Sequence, residues 1–124
     1  MDDAVSVVKT PSGYRLAVHI ADVATYVPVG SELDSVATHR ATSIYLPGLT
    51  VPMLPKVLSN NLCSLNPGVD RNTLSVIADL DAEGTVINAE IVKGQVRSRV
   101  KGVYSEVNRI LSGEKNDQLL RKYS

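Results

Sequence analysis

The chain of 124 residues has no phenylalanine and no tryptophan, and its five aromatic residues are all tyrosines. Few ring faces are therefore offered as stacking platforms for nucleic-acid bases. Cys63 is the one cysteine, which excludes an intramolecular disulfide and fits a reducing compartment. An excess of either charge is also missing. Thirteen Lys and Arg are offset by thirteen Asp and Glu, so no global basic field advertises a polyanionic partner. No apolar run is long enough to cross a bilayer, and the N-terminus lacks signal-peptide architecture. Internal repeats and low-complexity segments are absent. So are a Cys/His metal spacing, a phosphate-cradling glycine loop and a nucleophile elbow. What remains is an ordinary apolar content, 44%, which excludes a disordered tail and suffices for one domain or a piece of one. The expectation is a soluble cytoplasmic domain with no membrane contact.

The pattern predicts an antiparallel sheet with helices packed on it, an α+β fold. Ala4–Val8 and Tyr14–Ile20 read as a hairpin around Pro11 and Gly13. Ser31 is placed to cap a helix through about Thr42, with Glu32 and Asp34 in its first turn. Ile44–Leu46 reads as a short extended segment stopped by Pro47-Gly48. Ser59 is expected to cap a short helix through Leu65. Leu74, Val76, Ala78 and Leu80 alternate as a strand from Thr73. A turn at Asp81–Gly84 leads into a strand from Thr85 to about Val100, bent near Gly94. Ser105 is expected to cap a helix over 106–111, and 116–123 begins another. The chain opens on Asp2-Asp3 with no lead-in and stops within a helix, so it reads as cut at both ends.

Five side chains stand out chemically. Asp2 and Asp3 offer the hard oxygens that Mg²⁺ takes, although adjacent strand residues point to opposite faces and an acidic pair near a terminus is most often simply solvated. Tyr45, before a Pro-Gly turn, can stack on a base or merely pack with its hydroxyl at the surface. Arg40 and Arg71 are candidate phosphate contacts, with surface solvation as the alternative. Among other residues, Asp22 ends an apolar strand and is either paired, capping a turn, or facing a site. His19 alternates away from the apolar face and reads as structural or exposed, and Cys63 as apolar packing. Lys93, Arg97, Arg99, Lys101 and Arg109 form a basic stripe, which on a strand is more often a wet face than an RNA track.

The wording of the sequence goes further. Asp2-Asp3-Ala4, Val18-His19-Ile20-Ala21-Asp22-Val23, Gly30-Ser31 with Leu33-Asp34, Arg40, Thr42-Ser43, Tyr45-Leu46-Pro47 and Pro52-Met53-Leu54-Pro55 occur in that order. Leu58-Ser59-Asn60, Leu62 to Pro67, Asp70-Arg71 and Tyr104–Val107 follow. This run resembles the catalytic (RNB) domain of the ribonuclease II / ribonuclease R family, with ribonuclease R the nearer branch. The resemblance spans nearly the whole chain and implies a partial RNB domain over 1–124.

It also implies hydrolytic 3′→5′ degradation of single-stranded RNA to nucleoside 5′-monophosphates with Mg²⁺, Mn²⁺ being a possible substitute. Asp2 and Asp3 match the last two aspartates of the family's four-aspartate cluster, as catalytic and metal-binding residues. Tyr45 matches a tyrosine that packs near the terminal nucleotide. The first two aspartates have no counterpart here, so the isolated chain is expected to be inactive. A catalytically silent RNA-binding or regulatory module on the same fold is the alternative. The parent protein is expected to be monomeric. The fragment is expected to expose core surface near Leu119, Leu120 and Tyr123, through which it can self-associate.

Overall fold

A computed structural model describes residues 3–124. Asp2, one of the two candidate metal ligands, lies outside the described residues. The α+β expectation holds. Strands β1 (Asp3–Thr10), β2 (Gly13–Ala21), β5 (Asp70–Leu80) and β6 (Val86–Arg97) form one sheet in the order β1-β2-β5-β6. Every pairing in it is antiparallel. The short strands β3 (Ile44–Leu46) and β4 (Leu49–Val51) pair as a separate hairpin. Helices α1 (Glu32–Arg40), α2 (Tyr104–Leu111) and α3 (Asp117–Tyr123) complete the chain.

Alternation decides the two faces of the large sheet, because successive strand residues point opposite ways. Val5, Val18, Val76 and Ile91 stand opposite one another across all four strands. Val7, Leu16, Ala78 and Ala89 form the next such row. This face is apolar yet largely bare: Val5 is 63% exposed and Ile91 71%. The opposite face carries Ala17, Thr73 and Ser75, all buried. There Thr73 Oγ1 lies 3.0 Å from Ser75 Oγ, and His19 Nδ1 lies 2.7 Å from the same Ser75 oxygen. That chain of bonds satisfies buried hydroxyls which would otherwise lose their hydration. It also gives His19 its role, a structural one.

The β1–β2 turn depends on one glycine. Gly13 has φ +150°, and a Cβ there would lie 2.1 Å from the Leu80 carbonyl oxygen. Glycine alone lets the turn sit against the end of β5.

Local capping explains the starts of α1 and α3. The Asp34 backbone N–H donates to Ser31 Oγ at 3.2 Å, while Asp34 Oδ2 accepts from the Gly30 N–H at 2.8 Å. Asn116 Oδ1 accepts from the N–H groups of Gln118 and Leu119 and starts α3. At the β5–β6 turn Asp81 Oδ1 accepts from the N–H groups of Glu83 and Thr85.

Several expectations change. Ser59 does not cap a helix; it lies inside a π-helical turn, Leu58–Leu62, closed by the Cys63 N–H on Leu58 O at 2.8 Å. Ser105 does not cap α2, which begins one residue earlier, at Tyr104, after Val103 and without a side-chain cap. β6 is regular at Gly94, opposite Thr73; the irregularity falls instead at Asp79/Leu80, next to the turn. Tyr123 is half-buried, donating to Glu106 Oε2 at 2.6 Å and accepting from the Val103 N–H at 3.0 Å. Leu119 is half-buried too and Leu120 exposed, so α3 leaves less apolar surface bare than expected, while the sheet face carries exposed Val5, Val7 and Ile91.

Candidate active-site groove

Asp3 opens β1 and lines a groove of about 700 Å³. The π-turn contributes Ser59 and Asn60, the segment behind it Asn66, and the approach to α2 Lys101 and Tyr104. A carboxylate, an ammonium, amides and a hydroxyl thus converge beside a tyrosine that is 93% exposed. The volume lies within the range of small-ligand sites. Lys101 was visible as part of the basic stripe. Asn60, Asn66 and Tyr104 were not singled out as site residues, since nothing in their spacing marks them; only the fold brings them to Asp3.

A smaller hollow of about 220 Å³ lies beside the β3–β4 hairpin, lined by Gly48, Leu49, Thr50, Pro52, Lys56 and Asn60. Asn60 lines both spaces and stands where they meet. Tyr45 sits on that hairpin, opposite Thr50 and 76% exposed, and does not line the groove at Asp3.

The two candidate arginines have partners within the chain. Arg40 Nη1 donates to Pro52 O at 2.8 Å. Arg71 Nε donates to Asn61 O and Ser64 O, both at 3.2 Å, Nη2 to Asn61 Oδ1 at 2.8 Å, and Nη1 to Asp70 O at 3.0 Å. The basic stripe is likewise divided: Lys93 pairs with Asp22, Arg97 with Asp70 and Arg109 with Glu114. Cys63 is half-buried, and burial pushes its thiol pKa up, away from reactivity.

Asp22 is nearly buried and bonded on two sides. Lys93 Nζ lies 3.2 Å from Oδ2, and Thr25 Oγ1 donates to the same oxygen at 3.0 Å. These contacts, Lys93 first, hold its pKa below the ordinary carboxylate value. A depressed folded-state pKa contributes stability that is present above the unfolded value of about 3.9 and lost as pH falls through the folded value. The melting temperature is therefore expected to drop on acidification from pH 5 to pH 2.5, and Asp22→Asn to show a smaller drop. An equal drop in the variant would remove Asp22 from that account.

Among the described residues no three His, Cys, Asp or Glu side chains cluster as a metal-ligand set. Asp3 beside an open groove fits the sparser mode, in which Mg²⁺ takes one or two carboxylates and completes its shell with water and substrate phosphate.

A four-stranded antiparallel sheet with short helices, and with a carboxylate at its first strand beside a polar groove, defines an α+β domain with a candidate ligand site. The RNB domain family model matches residues 1–122. The chain belongs to that family, that of the ribonucleases II and R. Ribonuclease R of Mycoplasmopsis pulmonis is 49% identical over 107 residues, which is 86% of this chain and 15% of the relative. The Mycoplasma genitalium RNase R in complex with double-stranded RNA superposes with a TM-score of 0.88 at 38% identity, covering 98% of this chain and 22% of that one. Yeast Ssd1, a pseudonuclease, shares the fold alone, with a TM-score of 0.81 at 24% identity over 97% of this chain and 15% of its own. The chain thus spans about a sixth of the length of the curated relatives it matches.

Proposed function

We propose that these residues form part of the catalytic domain of a 3′→5′ exoribonuclease that hydrolyses single-stranded RNA. The observation that carries the reading is Asp3 at the rim of a groove whose other walls are Asn60, Asn66, Lys101 and Tyr104. Such walls suit a ribonucleotide chain: an ammonium for phosphate, amides for phosphate or ribose oxygens, a ring for a base. The M. genitalium relative is known in complex with double-stranded RNA and with ribose-methylated single-stranded RNA, which supports RNA as the ligand class.

Asp3, with Asp2, is the carboxylate group that would hold Mg²⁺ or Mn²⁺. Once bound, such an ion supplies charge stabilisation at the scissile phosphate and lowers the pKa of an attacking water. The chain's own residues bind and orient. Lys101 neutralises phosphate, Tyr45 stacks on a base from the hairpin, and Arg40 offers phosphate the guanidinium nitrogens not bonded to Pro52. Arg71 supports the groove wall. The bare sheet face gives the isolated chain a surface for self-association.

The second reading is a catalytically silent RNA-binding or regulatory module on the same fold. One assay separates them. The whole protein that carries these residues is incubated with a 5′-labelled single-stranded RNA and Mg²⁺, with and without chelator. Stepwise shortening from the 3′ end that stops on chelation is the expected result. Binding without shortening selects the silent module.

A further inference from the structure

The π-turn beside Asp3 is an unusual element, and its geometry has an identifiable support. A turn closed by i→i+5 bonds leaves its last carbonyls short of partners. Asn61 O takes the Ser64 N–H at 2.9 Å and the Arg71 Nε at 3.2 Å, and Ser64 O takes Nε as well. Arg71 Nη2 reaches the Asn61 side chain at 2.8 Å. One planar guanidinium anchored on β5 thus grips both the backbone and a side chain at the end of the turn. Ser64 adds an internal brace, its Oγ donating to Ser59 O at 2.8 Å. Asn60 is exposed on this turn and lines both the groove at Asp3 and the hollow at the hairpin. Ser59 Oγ donates to Asn60 Oδ1 at 3.2 Å, which commits the amide oxygen to the turn and leaves Nδ2 as a donor for a ligand.

We propose that Asn60 is an RNA contact, its Nδ2 donating to a phosphate or ribose oxygen in the groove, and that Arg71 is the positioning residue that holds it there. The assignment rests on the RNA-binding reading above. It gives Arg71 a task that a lysine cannot perform, because a single ammonium cannot span Asn61 O, Ser64 O and Asn61 Oδ1 with a rigid fork.

The test is a double-mutant cycle in the whole protein that carries these residues. Affinity for a fluorescent single-stranded RNA is measured in chelator, so that nothing is cleaved, and the melting temperature of each variant is measured beside it. Asn60→Ala is expected to weaken binding about tenfold with an unchanged melting temperature. Arg71→Lys is expected to weaken it by a similar factor, and the double variant to be no weaker than either single one within about twofold, as required if Arg71 acts through Asn60. Losses that multiply to about a hundredfold would overturn the positioning role. So would an Arg71→Lys protein that melts earlier but binds normally. An Asn60→Ala protein with full affinity would overturn the contact while leaving the functional reading intact. If the unaltered protein binds no RNA at all, the functional reading fails first and this inference with it.

Discussion

Replacing Asp3 by asparagine in the whole protein is expected to slow 3′-end shortening of a single-stranded RNA by about 10²–10³-fold while leaving RNA affinity within about threefold. Asparagine keeps the shape of aspartate and removes its charge. Asp3 is exposed at the start of an edge strand, so the change costs the fold little. In the proposed site its charge serves a cation and an attacking water rather than the grip on the polyanion. Loss in kcat with affinity retained is the signature of an interaction made only in the transition state. The check is single-turnover kinetics on a 5′-labelled RNA, paired with anisotropy binding in chelator. A variant that cleaves at the original rate would return Asp3 to the solvated acid that an Asp-Asp pair near a terminus usually is. A parallel collapse of binding would make it a structural residue of the groove instead.

The second large effect concerns folding. Gly13→Ala is expected to destabilise the chain by about 2–5 kcal/mol, through backbone strain and overpacking together. The new methyl would meet Leu80 O at 2.1 Å and the Asp81 carbonyl carbon at 2.6 Å, all backbone atoms with no rotamer to yield. Gly84 makes an internal comparison. Its φ is also positive, +87°, but nothing lies within 4 Å of a Cβ placed there. Gly84→Ala therefore carries strain without collision, and is expected to cost about 1–2 kcal/mol. Urea unfolding of the two variants side by side checks the ordering. Equal losses would show that the close approach to Leu80 relaxes freely.

Much of the scaffold was legible because its signals are local. The alternation of Leu74, Val76, Ala78 and Leu80 marks β5, Ser31 with Asp34 marks the start of α1, and Gly84 marks the β5–β6 turn. The elements misread are those where a distant group decides. Ser59 and Ser105 are good capping residue types, but the π-turn takes its support from Arg71 and Ser64, and α2 begins at Tyr104 without a side-chain cap. β4 was missed because three residues between prolines carry no period; its pairing with β3 around Gly48 defines it. The same division runs through the site. Motif resemblance brought Asp3, Tyr45, Arg40 and Arg71 forward one by one. Which of them share a groove depends on loop geometry, and that geometry placed Asn60, Asn66 and Tyr104 beside Asp3 instead.

The central strand β5 carries an ion pair near each end, each to a different neighbour. Arg15 on β2 meets Asp79 at 2.8 Å, and Arg97 on β6 meets Asp70 at 2.7 Å. Exposed pairs of this kind contribute little to overall stability. Their consequence lies in alignment. A slip of one residue between strands exchanges the two faces and is rejected by the apolar pattern alone. A slip of two restores the faces, and rows as uniform as Val5, Val18, Val76 and Ile91 tolerate it. That slip would carry each guanidinium about 6–7 Å from its carboxylate. The two pairs therefore discriminate against the one misalignment that hydrophobicity leaves open, and they do so independently on the two sides of β5.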